Sequence, residues 1–359
     1  ALILSSHSSM KGGAIMTYDV YVGTYAAEGR NSIFHFEADC VRRTLLLRKC
    51  SDALDRPSWL LFTRPDILCA VEEKQPEGFV AALRVKGDRF DLLRRFSSYG
   101  ADPCHLSLDE EHRFLFVSNY TSGSVAAFEL DEDGVPFKLS SVHQHSGSSV
   151  HPIRQAGPHA HFSHMHDRRL YVCDLGQDRI LLYALDHLKK ALATSDVFIS
   201  TPSGCGIRHL CFPSLHRDRM YGICELNGDL LYFEHKSDGW ICRQQLQSMS
   251  TPADTYNLSG AIHMSDDEQY LFVSNRGMDL ISAFSIGEDG YLHMVDCCSS
   301  GGHWPRDFAV LGNDLLVACQ KDSCLTMIHF DRQNQKLLLN PERFDVEQPV
   351  CVIKARKEI

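Results

Sequence analysis

Two sets of positions in the sequence carry arginine, glutamate and histidine where simple turn residues would suffice. The first set lies just before a short apolar strand and includes His159, Arg208 and Arg306. The second follows the next strand along the chain and includes Glu225 and Arg276. Since Asn, Asp and Gly would satisfy a turn, this choice of residues indicates chemistry. A histidine can act as a general base, and arginines can grip an anion with two parallel hydrogen bonds.

Each set has seven members, one for each copy of a repeated unit. The first set reads Ser58, Cys104, His159, Arg208, Gly260, Arg306 and Val350, and the second reads Tyr25, Glu73, Tyr120, Leu175, Glu225, Arg276 and Gln320. In antiparallel strands, the start of one strand and the end of the next lie at the same end. We therefore predict that both sets gather on one face, around a central axis. Alternatively, the arginines and Glu225 form structural ion pairs that only line this channel.

The unit that positions these residues recurs roughly every fifty residues. Each copy holds a short apolar strand, a second apolar strand and a third one rich in aromatic or β-branched residues, as in 102–106, 114–120 and 125–128. Six copies are complete, and the chain ends carry the parts of a seventh, at 20–25 and 348–352. A repeat split in this way closes a ring with strands from both termini. The sequence thus predicts an all-β, seven-bladed β-propeller with four-stranded antiparallel blades.

Length and charge limit the remaining possibilities. A chain of 359 residues suggests two domains, but the ring makes residues 17–359 one domain, preceded by a tail or cloning remnant over 1–16. The net charge of −10 argues against nucleic acid as a partner, because a binding domain for it carries a basic face. No apolar run is long enough to span a membrane. The oligomeric state is left open.

The fourteen cysteines and a histidine-rich stretch are interpreted as structural. The cysteines are dispersed and include no C-x-x-C pair, in a chain too long for a disulfide scaffold, so free thiols in a reducing cytoplasm are predicted. Residues 143–166 hold seven histidines, and His159 and His161 would share one face of a strand and could share an ion. The stretch lacks a regular ligand spacing. We therefore predict neither a metal nor another cofactor.

Several motifs resemble those of the lactonase family of seven-bladed β-propellers, of the bacterial 6-phosphogluconolactonase type. They are Y-V-G-T-Y at 21–25, G-P-H-A-H at 157–161 with D-L-G-Q-D-R at 174–179, G-I-R-H-L at 206–210, S-N-R-G at 274–277 and G-G-H-W-P-R-D-F at 301–308. The resemblance covers about residues 18–353. This chain departs from the family pattern at Ala261, where the family often has Glu, and at Cys224 and Cys319, where it has Asn.

The resemblance implies cofactor-free hydrolysis of 6-phospho-D-glucono-1,5-lactone in the pentose phosphate pathway. A related fungal family, the 3-carboxymuconate cyclases, uses a His, two Arg and a Glu for lactone chemistry. Their matches here are His159 or His161, Arg208, Glu225 and Arg276. We therefore expect His159 to act as general base, with Glu225 orienting or replacing it, and Arg208 to stabilise the oxyanion.

The remaining positions are expected to bind a small anionic sugar lactone. Arg276 and Arg306 suit a phosphate or carboxylate. The sugar hydroxyls and other substrate atoms are expected to bind to His161, Tyr25, Glu73 and Gln320. Two other functions stay open: a muconate-type lactonizing enzyme or other sugar-lactone hydrolase, and a non-catalytic propeller that binds a partner or a sugar at this face.

Overall fold

A computed structural model describes residues 16–194, 196–250 and 257–355, and every regular element within these ranges is a β-strand. No helix in the described ranges is long and apolar enough to cross a bilayer. The first strands along the chain are β1 (Thr17–Thr24), β2 (Ile33–Asp39), β3 (Thr44–Ser51), β4 (Leu60–Arg64), β5 (Ile67–Glu72), β6 (Phe79–Lys86), β7 (Arg89–Ser97), β8 (Pro103–Leu108), β9 (Phe114–Asn119), β10 (Ser124–Leu130) and β11 (Pro136–Gln144).

The second part of the chain continues the same pattern. Its strands are β12 (Ala160–His166), β13 (Arg169–Asp174), β14 (Arg179–Asp186), β15 (Ala191–Leu192), β16 (Phe198–Ser200), β17 (Ile207–Cys211), β18 (Arg219–Cys224), β19 (Asp229–Lys236), β20 (Gly239–Gln247), β21 (Leu258–Met264), β22 (Tyr270–Arg276), β23 (Leu280–Ile286), β24 (Leu292–Ser299), β25 (Pro305–Leu311), β26 (Asp314–Cys319), β27 (Cys324–Asp331), β28 (Lys336–Asp345) and β29 (Pro349–Lys354).

These strands form seven antiparallel sheets, which are the blades of the predicted propeller. Blade 1 contains β29 and β1–β3, blade 2 contains β4–β7, blade 3 contains β8–β11, blade 4 contains β12–β16, blade 5 contains β17–β20, blade 6 contains β21–β24 and blade 7 contains β25–β28. The ring closes in blade 1, where β29 is the innermost strand and Val352 pairs with Val22 of β1. The all-β class, the seven blades and the closure by both ends are confirmed.

The blades pack face to face, and this explains why their middle strands read as continuous apolar runs. Every residue of β9 is buried, whereas most of the outer strand β7 is partly or fully exposed. Between blades 2 and 3, Val71 packs in one cluster with Leu115 and Val117. Burying each such side chain contributes about 1.5–3 kcal/mol. The ring is therefore held together by the apolar faces between blades.

The sequence predicted a tail or cloning remnant over residues 1–16. Residues 1–15 of the predicted tail lie outside the described residues. Met16 is exposed, and its backbone oxygen accepts a hydrogen bond of 3.1 Å from Cys40 at the end of β2. The described part of the chain thus begins with a residue already bonded to blade 1.

Candidate active site

A β-bulge recurs at the start of the innermost strand and aims a side chain away from the regular ladder. In blade 5, Ile207 pairs with Cys224 and His209 with Ile223, so Arg208 is the extra residue. The equivalent residues in blades 1, 3, 4 and 7 are Val350, Cys104, His161 and Arg306, and blade 6 has two, Gly260 and Ala261. In blade 2 the irregularity lies instead at the end of β4, between Phe62 and Arg64. The bulge thus selects nearly the same positions as the first predicted set.

In blade 4 the structure corrects the histidine that the sequence assigned to the first set. The first predicted set placed His159 there, but the bulge lies at His161, between the paired residues Ala160 and Phe162. His161 is therefore the structural equivalent of Arg208 and Arg306. His159 lies just outside the strand, next to Tyr120 of blade 3.

Glu225 is the centre of a buried cluster of positive charge. Its carboxylate receives hydrogen bonds from Arg208 and Arg154, and Nη2 of Arg276 lies 2.9 Å from Oε2. Burial alone would raise the pKa of Glu225, but Arg276, Arg208 and Arg154 together hold it well below its usual value. Glu225 is therefore a fixed anion and a weak proton acceptor.

Two of these arginines are also fixed by the backbone of blade 6. Arg208 donates from Nε to the Gly260 carbonyl at 2.9 Å, while its Nη2 makes no hydrogen bond to a described residue. Arg276 donates to the carbonyls of Leu258 and Ser259, both at 3.0 Å. Burial lowers the pKa of Arg276 to about 9, which leaves the guanidinium charged at neutral pH.

Arg154 belongs to this cluster but was not predicted. It lies in the loop between β11 and β12, and it bridges Glu225 and the Tyr120 hydroxyl, the latter at 3.1 Å. Burial opposes its charge, yet Glu225 raises the pKa of Arg154. The only signal in the sequence is the unusual length of this loop, which interrupts the spacing of the repeat. A residue that reaches the axis from a loop has no position in the strand register.

The opposite side of the channel mouth carries a different arrangement. The Tyr25 hydroxyl donates to the Glu73 carboxylate at 2.8–2.9 Å, and the guanidinium carbon of Arg306 lies 5.0 Å from the Tyr25 ring. Burial would lower the pKa of Arg306, but Tyr25 and Glu73 raise it. Arg306 makes no hydrogen bond or ion pair with any described residue. Its donors are therefore available to an anion, unlike most donors of Arg208 and Arg276.

His159 is held in a defined orientation at this mouth. Its Nδ1 lies 3.0 Å from the Tyr120 carbonyl, which can only accept, so Nδ1 carries the proton and Nε2 keeps its lone pair. The ring stacks on Tyr120 at 4.4 Å, and the backbone N–H donates to Asp174 at 2.8 Å. His145 forms a buried pair with the same Asp174 at 2.6 Å. Among the described residues, Glu225 makes no direct hydrogen bond to His159.

His161 is instead buried deep in the mouth. Burial and then Arg208 lower the pKa of His161 well below its usual value, so the imidazole is neutral. Beneath it, aromatic and imidazole rings fill the channel. The set, with ring centroids 4.3–5.9 Å apart, consists of Trp59, His105, Phe162 and His209. The His105 and His209 side chains are thus part of the packed core.

Several polar atoms around the mouth are buried without a hydrogen-bond partner in the described structure. They are Ser58 Oγ, His161 Nδ1 and Gln320 Oε1, and His209 Nε2 beneath the mouth is a further such atom. Buried polar groups are normally satisfied, so their grouping at one end of the channel favours a polar ligand there. Cys319 pairs with Pro305 across the two strands. Gln320 and Arg306, the residues that follow them, therefore lie near each other.

The histidines of the 143–166 stretch serve separate local roles. His143 bonds the Leu192 carbonyl, His166 bonds the Arg217 carbonyl, and His151 accepts from two backbone amides of its own loop. Within the described ranges, no three histidine, cysteine or acidic side chains are grouped as they would be around a metal ion.

A second cleft lies away from this mouth. It encloses about 1070 Å³ between blades 4 and 5, and Tyr171, Phe198 and Trp240 are among its lining residues. None of the predicted site residues lines it. The concentration of buried charge identifies the channel mouth, rather than this cleft, as the candidate active site.

Comparison with known proteins agrees with this fold. The family described as "Lactonase, 7-bladed beta-propeller" matches residues 19–354. A 6-phosphogluconolactonase of Bacillus subtilis is 31% identical over 345 residues, which cover 93% of this chain and 97% of the relative.

Two solved structures share the architecture over nearly their whole length. The Pseudomonas aeruginosa periplasmic gluconolactonase superposes with a TM-score of 0.87 at 27% identity, covering 95% of this chain and 99% of that one. A Lactobacillus plantarum protein has a TM-score of 0.87 at 26% identity, covering 95% and 100%. The similarity therefore extends around the entire ring.

Proposed function

The chain belongs to the lactonase family of seven-bladed β-propellers, and we propose that it hydrolyses 6-phospho-D-glucono-1,5-lactone to 6-phosphogluconate at the channel mouth. The observation that supports this substrate is Arg306, a partly buried cation whose guanidinium makes no ion pair with a described carboxylate, although Glu73 and Glu225 lie near enough to raise its pKa. Around it, Arg154, Arg208 and Arg276 exceed the negative charge of Glu225 and Glu73. A chain with net charge −10 thus holds a local positive site suited to a small dianion.

In the proposed complex, the phosphate binds to Arg306, whose planar guanidinium can donate two parallel hydrogen bonds. Arg276 adds positive charge from the other side. The hydroxyls of the sugar bond to the polar groups that line the mouth, namely Tyr25, Glu73, His161 and Gln320. This binding fixes the lactone carbonyl relative to the residues on the Glu225 side.

His159 then serves as the general base. Its Nε2 lone pair is available because Nδ1 donates to the Tyr120 carbonyl. A water held by Nε2 loses its proton as its oxygen attacks the lactone carbonyl. General-base catalysis of this kind contributes about 10²–10⁴-fold to the rate.

Arg208 stabilises the tetrahedral intermediate through the Nη2 group that makes no bond to a described residue. Fixed donors act most strongly where negative charge develops in a site that excludes water. Glu225 holds Arg208 in place and is therefore proposed as a positioning residue rather than the base. When the intermediate collapses, the ring oxygen leaves as an alcohol with the proton from His159, and the product carboxyl ionises.

The proposal extends to the cellular setting. Hydrolysis needs no cofactor, and all fourteen cysteines are free thiols, which supports a reducing cytoplasm and a role in the pentose phosphate pathway. The continuous ring supports residues 17–359 as one domain. The P. aeruginosa relative is named periplasmic, whereas we propose the cytoplasm as the compartment of this chain.

A coupled assay tests the substrate directly. Freshly generated 6-phosphogluconolactone is mixed with the protein, and 6-phosphogluconate is followed through its NADP-dependent dehydrogenase. We expect a rate far above spontaneous hydrolysis and above the same protein after heat denaturation. A rate equal to the spontaneous one would refute the proposal and favour a non-catalytic binding role.

Unphosphorylated glucono-1,5-lactone is the second candidate, because the structurally similar P. aeruginosa protein is named a gluconolactonase. The same preparation is therefore assayed with both lactones and with a muconolactone. If Arg306 binds phosphate, kcat/KM is highest for the phosphorylated sugar. A higher value for the neutral lactone or the muconolactone would reassign the substrate while keeping the lactonase activity.

A further inference from the structure

We propose that Cys319 and Cys324 are a redox-active thiol pair, which a peroxide converts into a cross-strand disulfide beside the candidate active site. The two residues face each other directly on the antiparallel strands β26 and β27. Opposed residues on such strands have Cα atoms about 4.5–5.5 Å apart, within the 4.4–6.8 Å that a disulfide spans. The backbone is therefore already placed for the bond.

The repeat shows that this pairing is a local substitution on a common frame. In blade 3, the same two positions are Asn119 and Ser124, whose side chains share a hydrogen bond of 3.2 Å. Asn119 also bonds the Ser98 carbonyl, as Cys319 bonds the equivalent carbonyl of Ser300. Blade 7 thus has two thiols where blade 3 has a structural hydrogen bond.

A cleft adjoins the pair, although both cysteines are themselves buried. It encloses about 400 Å³ and is lined by Gly301, Gly302, Asp322 and Arg343, among others. A Cβ atom on Gly302 would lie 2.9 Å from the sulfur of Cys319 and 3.1 Å from that of Cys324. Only a glycine there leaves both sulfurs directly behind the cleft wall.

The cleft also favours the thiolate of Cys324. The hydrogen bond from Cys319 and the charge of Arg343 lower the pKa of the Cys324 thiol, although burial opposes them. Cys324 is therefore the attacking sulfur. It cleaves the peroxide O–O bond, giving a sulfenic acid and hydroxide. The Cys319 thiol then displaces the sulfenic oxygen, forming the S–S bond, so two thiols lose two electrons and the peroxide becomes two waters.

A second thiol pair provides the matched control. Cys205 and Cys224 of blade 5 are also close together and are as buried as Cys319, but no cleft adjoins them in the described structure, and burial and the Cys205 thiol raise the pKa of Cys224 well above its usual value. The same chemistry should therefore be slow at this pair. Its comparison isolates the contributions of the cleft and of Arg343.

The test oxidises the folded full-length protein with hydrogen peroxide, blocks the remaining thiols with iodoacetamide under denaturing conditions and maps the peptides by mass spectrometry. We expect a Cys319–Cys324 disulfide that dithiothreitol reverses. At the oxidation time that forms it, Cys205 and Cys224 should still be recovered as alkylated thiols. Arg343→Gln should slow its formation severalfold, and Cys324→Ser should leave Cys319 alkylated. Because this readout needs no lactonase activity, it stands even if the proposed function fails.

Three results would overturn the proposal. Both thiols could be recovered alkylated after oxidation, either thiol could pair with another cysteine, or Cys205–Cys224 could oxidise at the same rate. In the last case neither the cleft nor Arg343 would matter.

Discussion

The two sides of the channel mouth use arginine in opposite ways. On the side of blades 5 and 6, Arg208 and Arg276 bond both to Glu225 and to backbone carbonyls. On the other side, Arg306 lies against the Tyr25 ring and bonds no described acid. The first arrangement neutralises a buried anion, and the second leaves a partly buried guanidinium that nearby acids stabilise without bonding it.

This difference separates a scaffold from a binding position. A buried charge that already has its full set of partners gains little from a ligand, whereas one without partners gains a large part of its lost solvation. The Glu225 side should therefore control folding and the placement of catalytic groups. The Arg306 side should control affinity for the anion. Four experiments can break or sharpen this distinction.

The largest effect is expected from Glu225→Gln. This change removes a buried carboxylate that three arginines contact together. Uncompensated buried charge costs about 3–5 kcal/mol. The free energy of unfolding, measured by urea denaturation, should fall by that amount. The matched change on the other side, Glu73→Gln, should lower it by less than about 1 kcal/mol, since Glu73 is only partly buried. Equal losses for the two variants would contradict the division into scaffold and binding position.

The next effect concerns catalysis alone. His159→Asn removes the proposed base, so kcat for the lactone should fall roughly 10²–10⁴-fold. The free energy of unfolding should fall by only about 1 kcal/mol, because one hydrogen bond to Tyr120 is lost. The control is His235→Asn on the exposed part of β19, which should retain full activity. A larger loss for His161→Asn than for His159→Asn would transfer the role of base to the bulge residue.

Arg306→Ala tests the binding side. Hydrogen bonds to charged groups contribute about 1.5–3 kcal/mol, so kcat/KM for the phosphorylated lactone should fall roughly tenfold to a hundredfold. The unphosphorylated lactone should be affected much less, which makes it the internal control. Arg243→Ala, on the outer strand β20, controls for the loss of an arginine as such. Equal losses for both lactones would mean that Arg306 does not bind the phosphate.

The sequence predicted the ring and the mouth for reasons that are purely local. Apolar strands repeated at an even spacing can bury both faces only by packing blade on blade, and a split repeat requires closure. The polarity of antiparallel strands then places Arg208, Glu225, Arg276 and Arg306 at one end. The structure confirms that these four residues gather there.

The same local reasoning could not distinguish His159 from His161. Residues two apart on a strand point to the same side, so only the bulge between Ala160 and Phe162 shows which one takes the position of Arg208. The position of Arg154 could not be predicted from the sequence for a different reason. Its place near Glu225 depends on the path of a loop, and a loop path follows from tertiary contacts rather than from a repeat.

The smallest expected effect is a pH dependence of stability. It compares the charged mouth with the neutral histidines that lie along the channel axis. Burial is the main cause that lowers the pKa of His105, His161 and His209 from the usual 6.5, and it lowers that of His164 to about 4. Below pH 6.5 the unfolded chain binds protons that the folded chain does not. Each such histidine therefore reduces the free energy of unfolding by about 1.4 kcal/mol per pH unit of acidification.

This loss should appear between pH 6.5 and about 5, above the range in which Glu225 and the other carboxylates titrate. Urea denaturation at several pH values within this window measures the slope. His209→Asn should make the slope shallower by about 1.4 kcal/mol per pH unit. Phe162→Leu, in the same cluster, should lower stability equally at every pH and leave the slope unchanged. An unchanged slope in His209→Asn would mean that the imidazole takes up a proton within the folded channel. The rings beneath the mouth would then carry positive charge themselves, and the separation between a charged mouth and a neutral channel would be lost.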